Sequence, residues 1–226
     1  MNNIYKLKII LRKIRNTIFS LALYMKCIGH KNYIKLNHAY LHNVKINIKG
    51  YGNKVVFDPN LSLNNSNISL SCNNSEIYLH NIYANNLNIL IMDDYCKVDI
   101  NNGTTINGAE LWLTEGKKIE IERDCMFARN IQIRTGDNHA IYKNKQRINK
   151  GGDILIKEHV WIGDSVKIMK GVTIESGCII GHSSIVTKSL ETPNSIYAGI
   201  PAKIINENIE WKRDKKYRYI DNLENE

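Results

Sequence analysis

Residues 156–190 read IKEHVWIGDSVKIMKGVTIESGCIIGHSSIVTKSL, and an aliphatic residue returns in them at every sixth place. Ile156, Ile162, Ile168, Ile174, Ile180 and Val186 hold the first position of successive hexads. Val160, Val166, Val172, Cys178, Ser184 and Leu190 hold the fifth, all of them small or aliphatic. A helix would repeat its apolar residues at three and four, not strictly at six. A strand alternates sides, so positions one and five face the same way, and six residues make a short strand and a bend. Three such faces closed into a coil enclose a narrow apolar core. Each coil then hydrogen-bonds to the next, and stability accumulates by stacking. The chain is therefore expected to be mainly β, a coil of stacked parallel strands.

The rhythm continues upstream with flaws. Ile100, Ile106 and Trp112 form one six-step series, and Ile121, Phe127 and Ile133 another, displaced by a three-residue insertion. Earlier still, short alternating runs such as Ile46–Ile48, Ile68–Leu70 and Ile77–Leu79 read as less regular coils. Corners at Asn64-Asn65, Asn73-Asn74, Asn85-Asn86 and Asn101-Asn102-Gly103 fit, because asparagine tolerates left-handed turn geometry. One polar segment, residues 134–153, carries no hexad and lies between two β runs. It reads as a loop ejected from a rigid scaffold, where function is usually placed.

The ends differ from the body. Ile4, Leu7, Leu11, Ile14, Ile18 and Leu21 fall at helical spacing with lysines and arginines between them. Residues 1–30 are read as a basic amphipathic helix, residues 31–205 as the β-coil domain and residues 206–226 as a charged tail. The apolar run Thr17–Met25 is too short to span a bilayer. It lacks a small-residue cleavage site, and Lys26 follows at once. The helix either packs its apolar stripe on protein or lies, through residues 4–25, on an anionic inner-membrane surface.

The chain has 226 residues, 43% hydrophobic and 23% charged, with a formal charge of +9, which indicates a globular domain with an anionic partner. Nucleic acid is not expected, since no aromatics interleave the basic residues in a known binding pattern. The five cysteines are widely spaced without a C-x-x-C, so neither a disulfide framework nor a metal site is expected, and a cytoplasmic location follows.

The hexads at 156–190, the Trp161-Ile162-Gly163 step, Val186-Thr187-Lys188 and the closing Ala198-Gly199-Ile200-Pro201-Ala202-Lys203-Ile204 resemble the hexapeptide acyltransferases, in the maltose/galactoside acetyltransferase group. Thr135–Tyr142 followed by Arg147-Ile148-Asn149 resembles the capsular polysaccharide and polysialic acid O-acetyltransferases within it. The resemblance covers roughly residues 98–205. It implies a left-handed parallel β-helix, a homotrimer with its site between adjacent subunits, acetyl-CoA as acyl donor and an acidic polysaccharide as acceptor. The handedness rests on the resemblance alone, because the general preference of parallel crossovers is right-handed.

O-acetylation needs a base to take the proton of a sugar hydroxyl, and imidazole titrates near neutrality. His139 lies in the ejected loop and matches the family's Asp-x-His-x-Ile pattern, which makes it the expected base; the plainer reading is an exposed loop histidine. Trp161 offers a flat wall for the thioester arm or the sugar, or else merely covers a neighbouring coil. A backbone N–H near Gly163 could hold the oxyanion. By resemblance Gly181 and His182 lie along the pantetheine arm, and Thr187, Lys188 and Lys203 meet the cofactor's phosphate end. Asp137, Asn138, Tyr142 and Arg147 are expected to bind the acceptor, with arginine suited to a carboxylate-bearing sugar.

Two other classes stay open at this point. A γ-type carbonic anhydrase shares the fold and would put zinc on His139, His159 and His182, but its close pair of ligands is missing. A non-catalytic β-helical glycan-binding module is the third. Within the enzyme class, lipopolysaccharide or amino sugars and N- rather than O-transfer remain alternatives.

Overall fold

A computed structural model describes residues 23–214 of the chain. They form a triangular coil of about eight turns, built from three parallel sheets. The first face stacks eight strands, from Leu23–Ile28 at one end to Ile185–Val186 at the other. The second runs from Tyr33–Lys35 to Thr173–Ile174, and Leu190 adds a bridge beside Ile174. The third runs from Tyr40–His42 to Ile196–Gly199 and ends on the antiparallel strand Ala202–Asn206.

The hexad positions fill the interior. All six first-position residues and Val160, Val166, Val172, Cys178 and Ser184 have no exposed surface. Ile168 pairs with Val186, so one coil here takes eighteen residues. The coils upstream are longer by three or four, as Ala109 pairing with Ile131 shows. Asparagines turn their edges: Asn65, Asn74 and Asn86 have φ of 48°, 52° and 53°, and Gly103 of 77°. Such φ is disfavoured for most L residues, and asparagine and glycine adopt it most readily.

Several expectations need correction. Trp112 is not a core residue. Ala109, Leu111 and Leu113 point inward along its strand, which puts Trp112 on the outer surface under the Arg134 guanidinium, 4.1 Å from the ring centroid. A one-residue difference in phase turns every side chain of a strand over. Leu190 sits on Ile174, a first-position residue, because the last coil is two residues short of eighteen. The helix read over residues 4–25 and the unit 1–30 cannot extend past residue 22. Leu23–Ile28 is a strand paired with Val44–Lys49, with Leu23, Met25 and Cys27 against the core. Period-two alternation overlaps helical spacing there, and pairing with the next coil decides it. Residues 1–22, which hold the rest of that expectation, lie outside the described residues.

Trp211 and Arg213 tie the described part of the tail to the body. Trp211 is 6% exposed, stacked on His159 at 4.0 Å, and its indole N–H donates to the His159 carbonyl at 3.0 Å. Arg213 donates to Asp124 at 2.6 Å and to the Cys125 carbonyl at 2.7 Å. Burial alone would push the Asp124 carboxyl up, but His159 and Arg213 outweigh it and hold it below its usual value. The five cysteines are free thiols, and burial pushes that of Cys125 up to about 12, which keeps it unreactive.

Candidate active site

The segment 134–153 leaves the coil between the first and second faces. Ile133 and Ile168 are paired neighbours on the first face although 35 residues apart, so a coil of eighteen has expelled the surplus. The expelled chain folds into a two-stranded hairpin, Tyr142–Lys143 against Gln146–Arg147. Its turn residues Asn144 and Lys145 both have positive φ, 51° and 63°, the conformation that matches the natural twist of a tight hairpin.

The base of the loop is tied to the prism by buried and charged contacts. Thr135 Oγ1 accepts the Thr114 N–H at 3.0 Å, and Gly136 packs so closely that a Cβ there would lie 2.4 Å from Thr114 Oγ1. Asn149, 8% exposed, is the hub. Its Nδ2 donates to Asp137 Oδ2 and to the His139 carbonyl, both at 2.8 Å, and its Oδ1 accepts the Ile141 N–H at 2.7 Å. Lys170 from the next coil donates to Asp137 Oδ2 and to the Asn149 carbonyl. Arg147 pairs with Glu115 at 2.6 Å, and the Gly151 N–H donates to the same carboxylate at 3.0 Å. The Lys170 ammonium, aided by Asn149, holds the Asp137 carboxyl below its ordinary range. Arg147 and the Gly151 amide do the same for Glu115.

Two of the four residues expected to bind the acceptor, Asp137 and Arg147, are thus engaged in fixing the loop. Asn138, with φ of 64°, His139 and Tyr142 are exposed. So are Ile141 and Ile148, at 54% and 59%, which leaves an apolar patch beside His139.

The other expected residues lie elsewhere. Trp161 is on the outer side of the third face, 37% exposed, with Trp211 at 5.9 Å and tilted by 48°. Gly163 and Gly181 follow at the edge between the third and first faces. Both have a packing reason to be glycine: a Cβ at Gly163 would lie 2.8 Å from the Ile180 carbonyl oxygen and 2.9 Å from the His182 nitrogen, and one at Gly181 would lie 2.9 Å from Ala198 Cβ. Lys203 is exposed on the closing strand and pairs with Ala198, so it continues this face past Gly181. Thr187 and Lys188 are on the loop's side instead. Val186 lies on Ile168, so Lys188 stacks one coil from Lys170. The chain therefore presents two separate patches. One edge carries His139, Lys170, Thr187 and Lys188; the third face and its far edge carry Trp161, Gly163, Gly181, His182 and Lys203.

Sequence reasoning missed Asn149 as a hub, Glu115 and Lys170 as anchors, and the Trp211–Arg213 clasp. Only their positions in space give them these tasks. The carbonic anhydrase reading loses His159, whose ring nitrogens face the Asp124 carboxylate at 2.6 Å and the Trp211 carbonyl at 3.1 Å.

Residues 153–188 match the family described as bacterial transferase hexapeptide, six repeats. The chain is 36% identical to the polysialic acid O-acetyltransferase of Neisseria meningitidis over 188 residues, 82% of this chain and 87% of that protein. Among solved structures, the polysialic acid O-acetyltransferase OatWY gives a TM-score of 0.77 at 32% identity, covering 89% of this chain and 97% of that one. The polysialic acid-specific acetyltransferase NeuO gives 0.80 at 32% identity, covering 88% and 93%. Superposition is sensitive to hand, so the coil is left-handed like those of the family. A scaffold or binding module without catalysis is set aside by the same matches. The chain belongs to the hexapeptide-repeat acetyltransferases, in the branch of the polysialic acid O-acetyltransferases, and is an acyltransferase.

Proposed function

We propose that the protein transfers the acetyl group of acetyl-CoA to a hydroxyl of an acidic surface glycan of the polysialic acid kind, with His139 as general base. The observation that carries this reading is the loop itself. A hairpin clamped at its root by Asn149, Glu115 and Lys170 holds one imidazole out from a rigid prism, beside exposed apolar side chains.

The step balances simply. An imidazole nitrogen of His139 takes the proton of the sugar hydroxyl as its oxygen attacks the thioester carbonyl. The tetrahedral intermediate collapses with cleavage of the carbon–sulfur bond. The imidazolium then returns the proton to the departing thiolate. The indole of Trp161 gives the thioester arm a flat apolar wall. Lys188 and Lys203 supply positive charge for the phosphates of the donor.

The two patches on one chain are different surfaces, and a ring of copies brings unlike surfaces together. A heterologous contact of this kind closes by rotation, and three copies fit a triangular prism. In that arrangement the loop edge of one copy meets the third face of the next, and Ile141 and Ile148 are covered. The acetyl-CoA arm then runs in the crevice between them.

The test is thiol release from acetyl-CoA by the purified protein with polysialic acid, with neutral polysaccharides as controls. Wild-type turnover that falls at least ~10²-fold in His139→Ala, with oligomeric state unchanged, is the expected result. Near-normal turnover in His139→Ala would remove the imidazole from the reaction.

A further inference from the structure

The edge between the third and first faces carries a ladder of asparagines. Asn43 Nδ2 donates to Asn65 Oδ1 at 2.9 Å, and Asn65 Nδ2 donates to Asn85 Oδ1 at 3.0 Å. Further along, Asn130 Nδ2 donates to Ser165 Oγ at 3.1 Å. Leu87 pairs with Ala109 and Ala109 with Ile131, so the rung between Asn86 and Asn130 belongs to Gly108. Gly108 is not among the glycines with positive φ. Its backbone accepts a side chain, and a Cβ there would meet nothing nearer than the Asn130 nitrogen at 3.4 Å. Packing does not demand glycine at this rung, in contrast to Gly163 and Gly181. Among the described residues the ladder's bonds stop at Asn85, and beyond it Asn107 and Gly108 line a recess of about 580 Å³.

The lining has a definite chemistry. Asn85, Asn88, Asn107 and Asn130 contribute amides, each both a donor and an acceptor. Asn85 spends its carbonyl oxygen on Asn65 and keeps its NH₂, while Asn130 spends its NH₂ on Ser165 and keeps its oxygen. Arg129 and Glu110 stand at the rim. Among the described residues the Arg129 guanidinium has no ion-pair partner; its backbone alone is engaged, the N–H with Asp164 Oδ1 and the carbonyl with the Ser165 N–H, both at 2.8 Å. Paired amides suit sugar hydroxyls and N-acyl groups, and a guanidinium suits one planar carboxylate. The Glu110 carboxylate offers hydrogen-bond acceptors to sugar hydroxyls and would repel a densely phosphorylated ligand. The recess is also open and polar, unlike a surface built for apolar packing.

We propose that this recess is an accessory subsite for the acceptor chain, holding a carboxylate-bearing sugar unit away from the unit being acetylated. Resting on the function argued above, it adds where a long acceptor is held. Ser165, bonded to Asn130, follows Gly163 by two residues, so the recess lies on the edge that leads to the Trp161 face. Coils stack at roughly 4.8 Å, and the distance from the Gly108 rung to that of Ser165 is two steps, or about 10 Å. A chain that lies along the edge can occupy both.

The test uses two variants of the full-length protein. Gly108→Asn places a side chain in the recess, and Arg129→Ala removes the cation. KM is measured with long-chain polysialic acid and with a sialic acid dimer. Direct binding of the long chain without acetyl-CoA is measured alongside. The expected result is a rise of about tenfold in KM and in Kd for the long chain in each variant. KM for the dimer and for acetyl-CoA should stay unchanged. Long-chain values within twofold of wild type in both variants would overturn the subsite and leave the proposed reaction standing. Equal losses with dimer and long chain would overturn it as well, since they would reflect general damage. An altered oligomeric mass in Gly108→Asn would assign the edge to subunit contact instead. A wild type that neither binds nor acetylates the long chain would bring down the reaction as well as the subsite.

Discussion

Asn149→Asp isolates the positioning of the loop that carries His139 from everything else. The change keeps size and shape, and it keeps Oδ1 to accept the Ile141 N–H. It replaces Nδ2, which donates at 2.8 Å to both Asp137 Oδ2 and the His139 carbonyl, with an acceptor facing two acceptors. A hydrogen bond to a charged group contributes about 1.5–3 kcal/mol and a neutral one about 1 kcal/mol. The Asp137 side chain is 44% exposed, so the lower figure applies to it. Together the two losses come to about 2.5 kcal/mol, or nearly 10² in the ratio of fixed to open loop. The amide's strong bonds all go to loop residues, Asp137, His139 and Ile141, so Tm should move by less than about 4 °C. Turnover should fall by ~10–10², with KM for acetyl-CoA nearly constant, because Asn149 bonds to none of the donor's expected contacts, Trp161, Lys188 and Lys203. Thiol-release kinetics measure the first effect. Amide exchange at Ile141 and Ile148, which are joined by a 2.9 Å backbone bond, measures the second. Turnover within threefold of wild type, with exchange at Ile141 unchanged, would refute the idea that Asn149 sets the position of His139.

Acid should loosen the same loop before the coil. The folded-state carboxyls of Asp137 and Glu115 are both depressed, so their contribution is complete above the ordinary carboxylate values of about 4. It is lost as pH falls through the depressed values; amide protection in 138–148 should hold from pH 7 to about 5 and fail below about 4, while β circular dichroism persists. In Lys170→Met the loss should begin at higher pH, and an identical profile would show that the ion pair is idle. Gly163→Ala should destabilise the coil by about 1–3 kcal/mol, read as a lower Tm, because its Cβ would meet backbone at 2.8 and 2.9 Å. An unchanged Tm with lost turnover would favour the oxyanion role over packing. Deleting residues 1–22 leaves the first strand whole and should release the protein from anionic lipid vesicles with kcat unchanged; equal vesicle binding with and without the segment would favour its packing on protein.

The second half of the coil was legible in the sequence because its core is one residue wide. Each hexad position has a single fate, and Ile156 to Val186 all met it. Legibility declined where the coil lengthened. With coils of 21 or 22 residues a six-step count drifts by a residue, which is why Trp112 was read as core while Leu111 and Leu113 fill that place. The asparagine corners stayed legible throughout, since a left-handed φ is a local demand. At the N-terminal end, helical and strand spacing coincide over Leu23 and Met25, and only pairing with Val44–Lys49 separates them. The loop could be bounded from sequence by the hexads it interrupts. Its anchors could not be found that way, because Glu115 and Lys170 come from coils on either side, and neither could the clasp of Trp211, which returns over 52 residues to His159. No spacing rule links such partners.

The division of the candidate residues between two surfaces follows from the geometry of the prism and not from any weakness of the site. A left-handed coil only one aliphatic residue wide has no room for an internal cavity, so its reactive groups must lie outside. Among the described residues, the long excursion at the active-site end is the segment 134–153, and it leaves at the edge between the first and second faces. The edge of the third face beside Trp161 is flat because Gly163 and Gly181 carry no side chain and Ala198 adds only a methyl group. A flat face and a projecting hairpin on one chain cannot close on each other without unwinding a coil. Two copies can bring them together at the cost of burying Ile141 and Ile148, which is favourable. In the proposed trimer assembly and catalysis share a surface, and a charge placed at Ile141 should weaken both together, with turnover falling in proportion to the loss of oligomer mass.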